Sequence, residues 1–391
     1  MSEDTRTGLV REIMLDFARA TGLEPAGAQP RRYLWTDAFA VCNFLELFCR
    51  TGDPGYRDLA LRLVDQVHHV LGRHREDDPR AGWISGLEEE EGEVHPTRGG
   101  LRIGKPYNER GTDEPSDERR EWDQDGQYYH YLTKWMHALS RVSRVTGDPV
   151  YAGWAVELAK TAHTRFTYVP PSGGQKRMYW KMSIDLTRPL VPSMGLHDPL
   201  DGLVTYVELQ TTVVAQTRQG RGHDLSTEIS EMAGICRDRD FATDDPLGIG
   251  GLMADAYRIA RVMREGEFRC PDLLESVARS ALRGMEYLSR TAPFRSPASY
   301  RLAFRELGLS IGLHAVSLLS GEIEGDPGLF KPGGSLSREM NALTRYLPLV
   351  DIIEQFWLEG RNRDADTWKE HREINRVMLA TSLAPLGFLE I

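Results

Sequence analysis

The chain has 391 residues, 40% of them hydrophobic and 27% charged, enough apolar material to bury a large core and too much for intrinsic disorder. Its formal charge of −10 and pI near 5.6 argue against nucleic acid as a partner, because phosphate binding needs a concentrated basic surface. No apolar run approaches the ~18 residues of a membrane-spanning helix, and the polar start from Met1 to Thr7 leads into an amphipathic stretch without the apolar region of a signal peptide. Cys42, Cys49, Cys236 and Cys270 form neither a CxxC pair nor a metal-ligand spacing. The expectation is a cytoplasmic protein with no membrane partner and no bound metal.

Apolar residues recur at i, i+3, i+4 and i+7 in many segments, and the alternation of a half-buried strand is almost absent, so the periodicity predicts helices nearly throughout. A first helix is expected at 5–21 and a second at 35–50. The next residues, Thr51-Gly52-Asp53-Pro54-Gly55-Tyr56 with Ala60 beyond, form a tight corner: Gly ends one helix, Asp caps the next, and Pro takes its first turn, where no amide hydrogen is needed. A helix from 54 to about 74 follows. The stretch 75–121 is a long insertion rich in Gly, Pro and acids; its Glu88-Glu89-Glu90-Glu91 run reads as a solvated face. A helix is then expected at about 124–145. The corner returns as Thr146-Gly147-Asp148-Pro149-Val150-Tyr151 with Ala155 beyond, opening a helix at 149–166.

A second insertion, 167–197, precedes helices expected at 200–218, 224–237, 249–264, 271–290, 303–320, 337–359 and 364–383. Close to twelve helices, with a repeated corner, predict an all-α fold: a single domain over 1–391, an α/α toroid of about six hairpins in which each unit buries its face on its neighbours.

In such a ring the starts of the inner helices gather at one end, and here they carry aromatic rings beside carboxylates. Tyr33, Trp35 and Asp37 open the first. Trp122, Asp123, Asp125, Gln127 and Tyr128 open the second, His197, Asp198 and Asp201 the third, Asp244 and Asp245 the fourth, and Arg305 and Glu306 the fifth. Flat rings stack on the C–H faces of a sugar, while carboxylates accept hydroxyl hydrogen bonds or exchange protons. Any one of these acids also suits a helix N-cap; it is the recurrence that points to a site. His197, flanked by acids, is placed for proton transfer near neutral pH. His130, His137 and His314 fall on inner helices, whereas His68, His69 and His74 read as surface or packing residues. No phosphate-binding loop, dinucleotide fingerprint, zinc-protease helix or nucleophile elbow is present, so no cofactor is expected.

The two Thr-Gly-Asp-Pro-x-Tyr-x-x-x-Ala corners and the Tyr33-Leu34-Trp35-Thr36-Asp37 start resemble the six-hairpin glycosidase superfamily, which includes unsaturated glucuronyl and rhamnogalacturonyl hydrolases and, on the same toroid, N-acylglucosamine 2-epimerases. For the hydrolases the resemblance implies an aspartate general acid/base near the start of an inner helix, about one helix length before a corner; Asp37, fourteen residues before Thr51, suits that place. For the epimerases it implies two facing histidines, for which His197 and His314 are the candidates.

The function expected is therefore a carbohydrate-active enzyme, hydrolysing a glycoside with paired carboxylates. Asp37 with Asp123 or Asp125 comes first, with Asp198, Asp201 and His197 as further catalytic candidates. Tyr33, Trp35, Trp122, Gln127, Tyr128, Trp180, Arg305 and His314 would bind substrate, Arg305 through a sugar carboxylate. A sugar epimerase and a non-catalytic toroid that binds a glycan or a protein are the alternatives; the last predicts acids tied up as caps and ion pairs, with no strongly perturbed pKa.

Overall fold

The structure, a computed structural model, describes residues 1–390 except 28, 116, 217–223, 267, 292 and 327–332. In chain order the helices are α1 (Glu3–Ala20), α2 (Leu34–Thr51), α3 (Pro54–Leu71), α4 (Glu89–Val94), α5 (Glu118–Asp123), α6 (Tyr129–Thr146), α7 (Pro149–Phe166), α8 (Asp198–Gln216) and α9 (Ser226–Cys236), then α10 (Pro246–Glu265), α11 (Pro271–Thr291), α12 (Ala303–Gly325), α13 (Ser335–Leu343), α14 (Pro348–Leu358), α15 (Gly360–Arg363), α16 (Asp366–Glu370), α17 (Arg372–Leu383) and α18 (Leu386–Leu389). The only strands among the described residues are short: β1 (Gln127–Tyr128), β2 (Thr167–Tyr168), β3 (Arg177–Met178), β4 (Lys181–Met182) and β5 (Pro189–Val191). The all-α expectation is borne out. The chain forms two compact units, Ala18–Arg237 and Met1–Phe17 with Asp238–Ile391.

In the 18–237 unit, burial separates two kinds of helix. Every residue of α2 from Leu34 to Leu47 is buried, as befits a helix covered on all sides. By contrast α3 buries one stripe: Tyr56, Leu59, Ala60, Leu63, Val64, Val67 and Leu71, at the three- and four-residue spacing of an amphipathic helix. The same contrast holds between α6 and α7. The central helices form a row, α2 on α6 and α6 on α8, backed by α3, α7 and α9.

The two sequence corners have one geometry. Gly52 and Gly147 take left-handed φ of 70° and 75°, and their amides bond Phe48 O and Ser143 O. Thr51 and Thr146 hydroxyls donate to carbonyls one turn back, at 2.6 and 2.7 Å, and accept the amides of Asp53 and Asp148 at 3.2 Å. The Asp53 and Asp148 carboxylates then accept the amides of Gly55 and Val150, at 2.9 and 3.0 Å.

In the second unit α10 is paired with α12, with α11 behind α10 and α13, α14 and α17 against α12. Side chains at Gly250, Gly308 or Gly312 would collide with the facing helix, so these glycines set the α10–α12 approach.

Three expected boundaries move. The helix expected from 124 starts at Tyr129, because Gly126 takes φ 144° and Gln127–Tyr128 pair as a strand with Lys181–Met182. The 337–359 helix breaks at Thr344–Tyr346, ahead of Pro348, and the 364–383 helix at His371. The end of the 200–218 helix lies outside the described residues.

Candidate active site

Within the 18–237 unit the starts of α2, α6 and α8 and the β4 segment bring most of the expected residues together. Tyr33 and Tyr131 join hydroxyls at 2.7 Å. Tyr131 packs edge-on against His130, ring centroids 4.8 Å apart, and lies 5.2 Å from Tyr128 and 6.5 Å from Trp35. Trp180 stacks parallel to His130 and lies 5.3 Å from Tyr128. The result is an aromatic wall around a histidine whose side chain stays 30% exposed.

The carboxylates differ sharply. Asp37 is buried on the first turn of α2, where it accepts the Tyr33 amide at 2.9 Å and faces the Arg32 guanidinium at 3.4 Å. Burial pushes its pKa up to about 6 against the pull of Arg32. Asp125 is wholly buried; it accepts Arg102 at 2.6 Å and the amides of Gly104 and Gly126 at 3.0 and 3.1 Å. Asp123 is exposed at the end of α5.

Asp198 and Asp201 lie one turn apart on α8. Asp201 pairs with Lys134 at 2.6 Å and accepts the Thr133 hydroxyl. Asp198 has its Oδ1 3.6 Å from His130 Nδ1, beyond hydrogen-bond range, and both His130 Nδ1 and Asp198 Oδ2 are buried without a hydrogen-bond partner. Burial, reinforced by the Asp201 charge, pushes the Asp198 carboxyl up to about 8, so it holds its proton at neutral pH. Burial also lowers His130 to about 4, keeping the imidazole neutral despite the Asp201 charge. A side chain at Gly195 would run into the Asp198 carboxylate, which is why this approach carries glycine.

The remaining expected residues are placed as follows. Gln127 is buried with its amide fully used: Oε1 accepts the Leu101 amide at 2.9 Å, and Nε2 donates to Gly99 O and Ile184 O at 2.9 and 2.7 Å. Trp122 is 55% exposed beneath the Lys105 ammonium, 5.1 Å from its ring. His197 is half-buried, and its carbonyl accepts the Asp201 amide at 2.9 Å. In the second unit, Arg305 pairs with Asp245 at 3.0 Å, and His314 bonds Glu354 at 3.0 Å.

Sequence reasoning put His130 on an inner helix without a task, and passed over Tyr131, Thr133 and Lys134. The signal was present, since 130, 133 and 134 share a helix face at i, i+3 and i+4 next to the Trp122–Tyr129 cluster. Among the described residues no group of three or more His, Cys, Asp or Glu is arranged for a metal ion, and no helix is long and apolar enough to cross a membrane.

No protein-family model matches the sequence, and no curated protein matches it. Solved structures do. A GH76 alpha-mannanase from Bacteroides thetaiotaomicron superposes with a TM-score of 0.55 at 9% identity, over 98% of this chain and 96% of that one. A cellobiose 2-epimerase from Spirochaeta thermophila matches with a TM-score of 0.48 at 13% identity, over 95% and 97% of the two chains. An unsaturated glucuronyl hydrolase specific for heparin matches with a TM-score of 0.32 at 12% identity, over 73% and 84%. The mannanase likeness shows the fold alone, an all-α, α/α-toroid architecture.

Proposed function

We propose that this chain is a carbohydrate-active enzyme, and that it cleaves a glycoside with Asp198 as the general acid. The observation that carries the reading is the Asp198 carboxyl: protonated at neutral pH, with one oxygen free of any hydrogen bond, beside an aromatic wall. A buried acid that keeps its proton near pH 7 is what protonation of a leaving glycosidic oxygen requires. Asp201, ion-paired with Lys134, supplies the contrasting charged carboxylate one turn away. Two acids in unlike environments divide the roles of proton donor and charge stabiliser. Trp180 and Tyr131, both partly exposed, offer ring faces on which a sugar stacks, whereas Tyr128, expected to bind substrate, is 4% exposed and packs behind them against His130 and Lys181. Asp37, the acid that sequence spacing favours, and Asp125, one of the two candidates to pair with it, instead hold the starts of α2 and β1 in place. The mannanase likeness adds α-mannosides to the substrates to be tried first.

A second reading, sugar epimerisation, is favoured by His130: a neutral imidazole with an unpartnered Nδ1, 3.6 Å from a protonated carboxyl, makes a base and an acid at one point. A binding-only site fits less well, since its acids would be tied up and its pKa values ordinary.

The test is turnover of a panel of aryl glycosides, α-mannosides included, by wild type and Asp198→Asn, with reducing sugars incubated in heavy water in parallel. Cleavage by wild type that Asp198→Asn loses supports hydrolysis. Deuterium entering a sugar C–H bond without any glycoside cleavage sinks hydrolysis in favour of epimerisation. If the full panel shows neither, both readings fail.

A further inference from the structure

A cavity of about 110 Å³ in the 18–237 unit opens between α3, α7 and the insertion segment that carries α4. Asp65, His68 and His69 form its α3 wall and Tyr151 and Trp154 its α7 wall, while Trp83 and Glu93 close it from the insertion. Rings make up most of this wall. None of its residues belongs to the Asp198–His130 pair, which stands at the starts of α6 and α8.

Much of the polar lining is spent internally. His69 bonds Glu93 at 2.9 Å and the Asp65 carbonyl at 2.9 Å, and the Trp154 indole donates to Val94 O at 2.9 Å. Three groups are not spent. The Trp135 indole, which can only donate, gives its hydrogen to His68 Nε2 at 3.2 Å. Burial pushes His68 down to about 3, so at neutral pH the ring carries one proton, and with Nε2 accepting, that proton sits on Nδ1. No described residue accepts a hydrogen bond from Nδ1, although His68 is only 3% exposed and lines the cavity. The Tyr151 hydroxyl, on a half-buried ring, also has no hydrogen-bond partner among the described residues. Asp65 turns one carboxylate oxygen to His69 Nδ1, at 3.3 Å, and leaves the other free on a side chain that is 68% exposed.

This set of groups selects the ligand. A donor left inside the pocket is costly unless something accepts from it, and it disfavours a cation. The one positive charge among the lining side chains, on His69, is held by Glu93, so nothing calls an anion. Hydroxyls both give and take hydrogen bonds, and neighbouring hydroxyls of one molecule answer His68 within and Tyr151 and Asp65 at the rim. The half-buried Trp154 ring suits a C–H face on the same molecule. The volume lies below the roughly 300–1,000 Å³ of sites that enclose a whole ligand, so one edge of a sugar enters and the rest stays in solvent.

We propose that this cavity is a non-catalytic binding site for a neutral sugar, with His68 Nδ1 donating to a sugar oxygen, Asp65 accepting a hydroxyl and Trp154 packing on the pyranose C–H face. The site does not depend on the proposed glycosidase reaction.

The test is titration calorimetry on the full chain with the methyl glycosides of glucose, mannose and galactose, and with tetramethylammonium. Wild type is compared with Asp65→Ala, Trp154→Leu and Asp198→Asn. At least one glycoside is expected to bind saturably, about tenfold more weakly to Asp65→Ala and to Trp154→Leu and unchanged in Asp198→Asn. In the same titration the Trp154 indole N–H resonance, identified by its absence from Trp154→Leu, is expected to shift. Asp65 lies at the surface, so its variant decides the matter if Trp154→Leu fails to fold. Four results overturn the site: no saturable binding of any glycoside, tetramethylammonium that binds where no glycoside does, Asp65→Ala that binds the glycoside like wild type, or loss of binding in Asp198→Asn alone.

Discussion

Asp37 and Asp198 begin as the same kind of residue, a buried aspartate on the first turn of a central helix, and end in opposite states. At α2 the chain supplies partners for the carboxylate, the Tyr33 amide and Arg32, so the acid serves the helix. At α8 it leaves one carboxyl oxygen unpartnered, places a second carboxylate a turn away and sets an imidazole just out of bonding reach. The result is a pKa of about 6 at one and about 8 at the other, with burial the leading cause at both. What separates the two acids is whether the neighbourhood completes the carboxyl, and on the proposed function that difference divides a structural acid from a reactive one.

The sharpest way to break that contrast is to remove the two carboxyls one at a time. Asp198→Asn is expected to cost about 10²–10⁴-fold in kcat on the glycoside that wild type cleaves, the range for removing a general acid, while the protein stays folded. Circular dichroism alongside the assay checks that last point. Asp37→Ala is expected to act on the fold instead. It leaves Arg32 buried with a partner missing and costs about 3–5 kcal/mol in urea unfolding, with kcat of the folded fraction preserved. A larger loss of kcat than of stability in Asp37→Ala would erase the distinction.

A subtler difference lies in pH. The Asp198 carboxyl titrates near 3.8 when unfolded and about 8 when folded, so the native chain holds the extra proton between those values, and this group's contribution to stability falls as pH rises through that window. The melting temperature of Asp198→Asn relative to wild type should therefore rise between pH 5 and pH 8, by an amount that scanning calorimetry resolves. Glycoside cleavage should decline as pH rises through about 8, when the acid loses its proton. The smallest effects belong to the twin corners: Asp53→Ala and Asp148→Ala should each cost about 1 kcal/mol as lost N-caps and leave activity unchanged.

The corners were legible because everything that makes them lies within a few residues: a glycine that tolerates left-handed φ, a short acid that reaches the next amides, a proline that wants no donor. The helical rhythm was legible for the same reason. The start of α6 was not, since Gly126 and Gln127 take their conformation from Lys181, Met182 and Ile184, more than fifty residues on. Nor were the different surroundings of the aspartates. Asp37, Asp125 and Asp198 each lie near an expected helix start, and only Arg32, Arg102 and His130, arriving from elsewhere, give them their different surroundings.

The two long insertions are sewn to one another. Lys181, fully buried, donates to Glu121 O, Glu121 Oε1 and Gln124 O at 2.7, 2.9 and 2.8 Å. Arg80 reaches Asp185 at 3.1 Å, Arg110 reaches Leu190 O at 3.1 Å, and Glu109 accepts the Ile184 amide at 2.6 Å. Segments of this length ordinarily invite proteases, yet these are tied by a buried Lys181–Glu121 ion pair, a half-exposed Arg80–Asp185 pair and two bonds to backbone groups. Anyone grafting the aromatic wall onto another scaffold would have to move both insertions as one piece, because neither keeps its shape without the other.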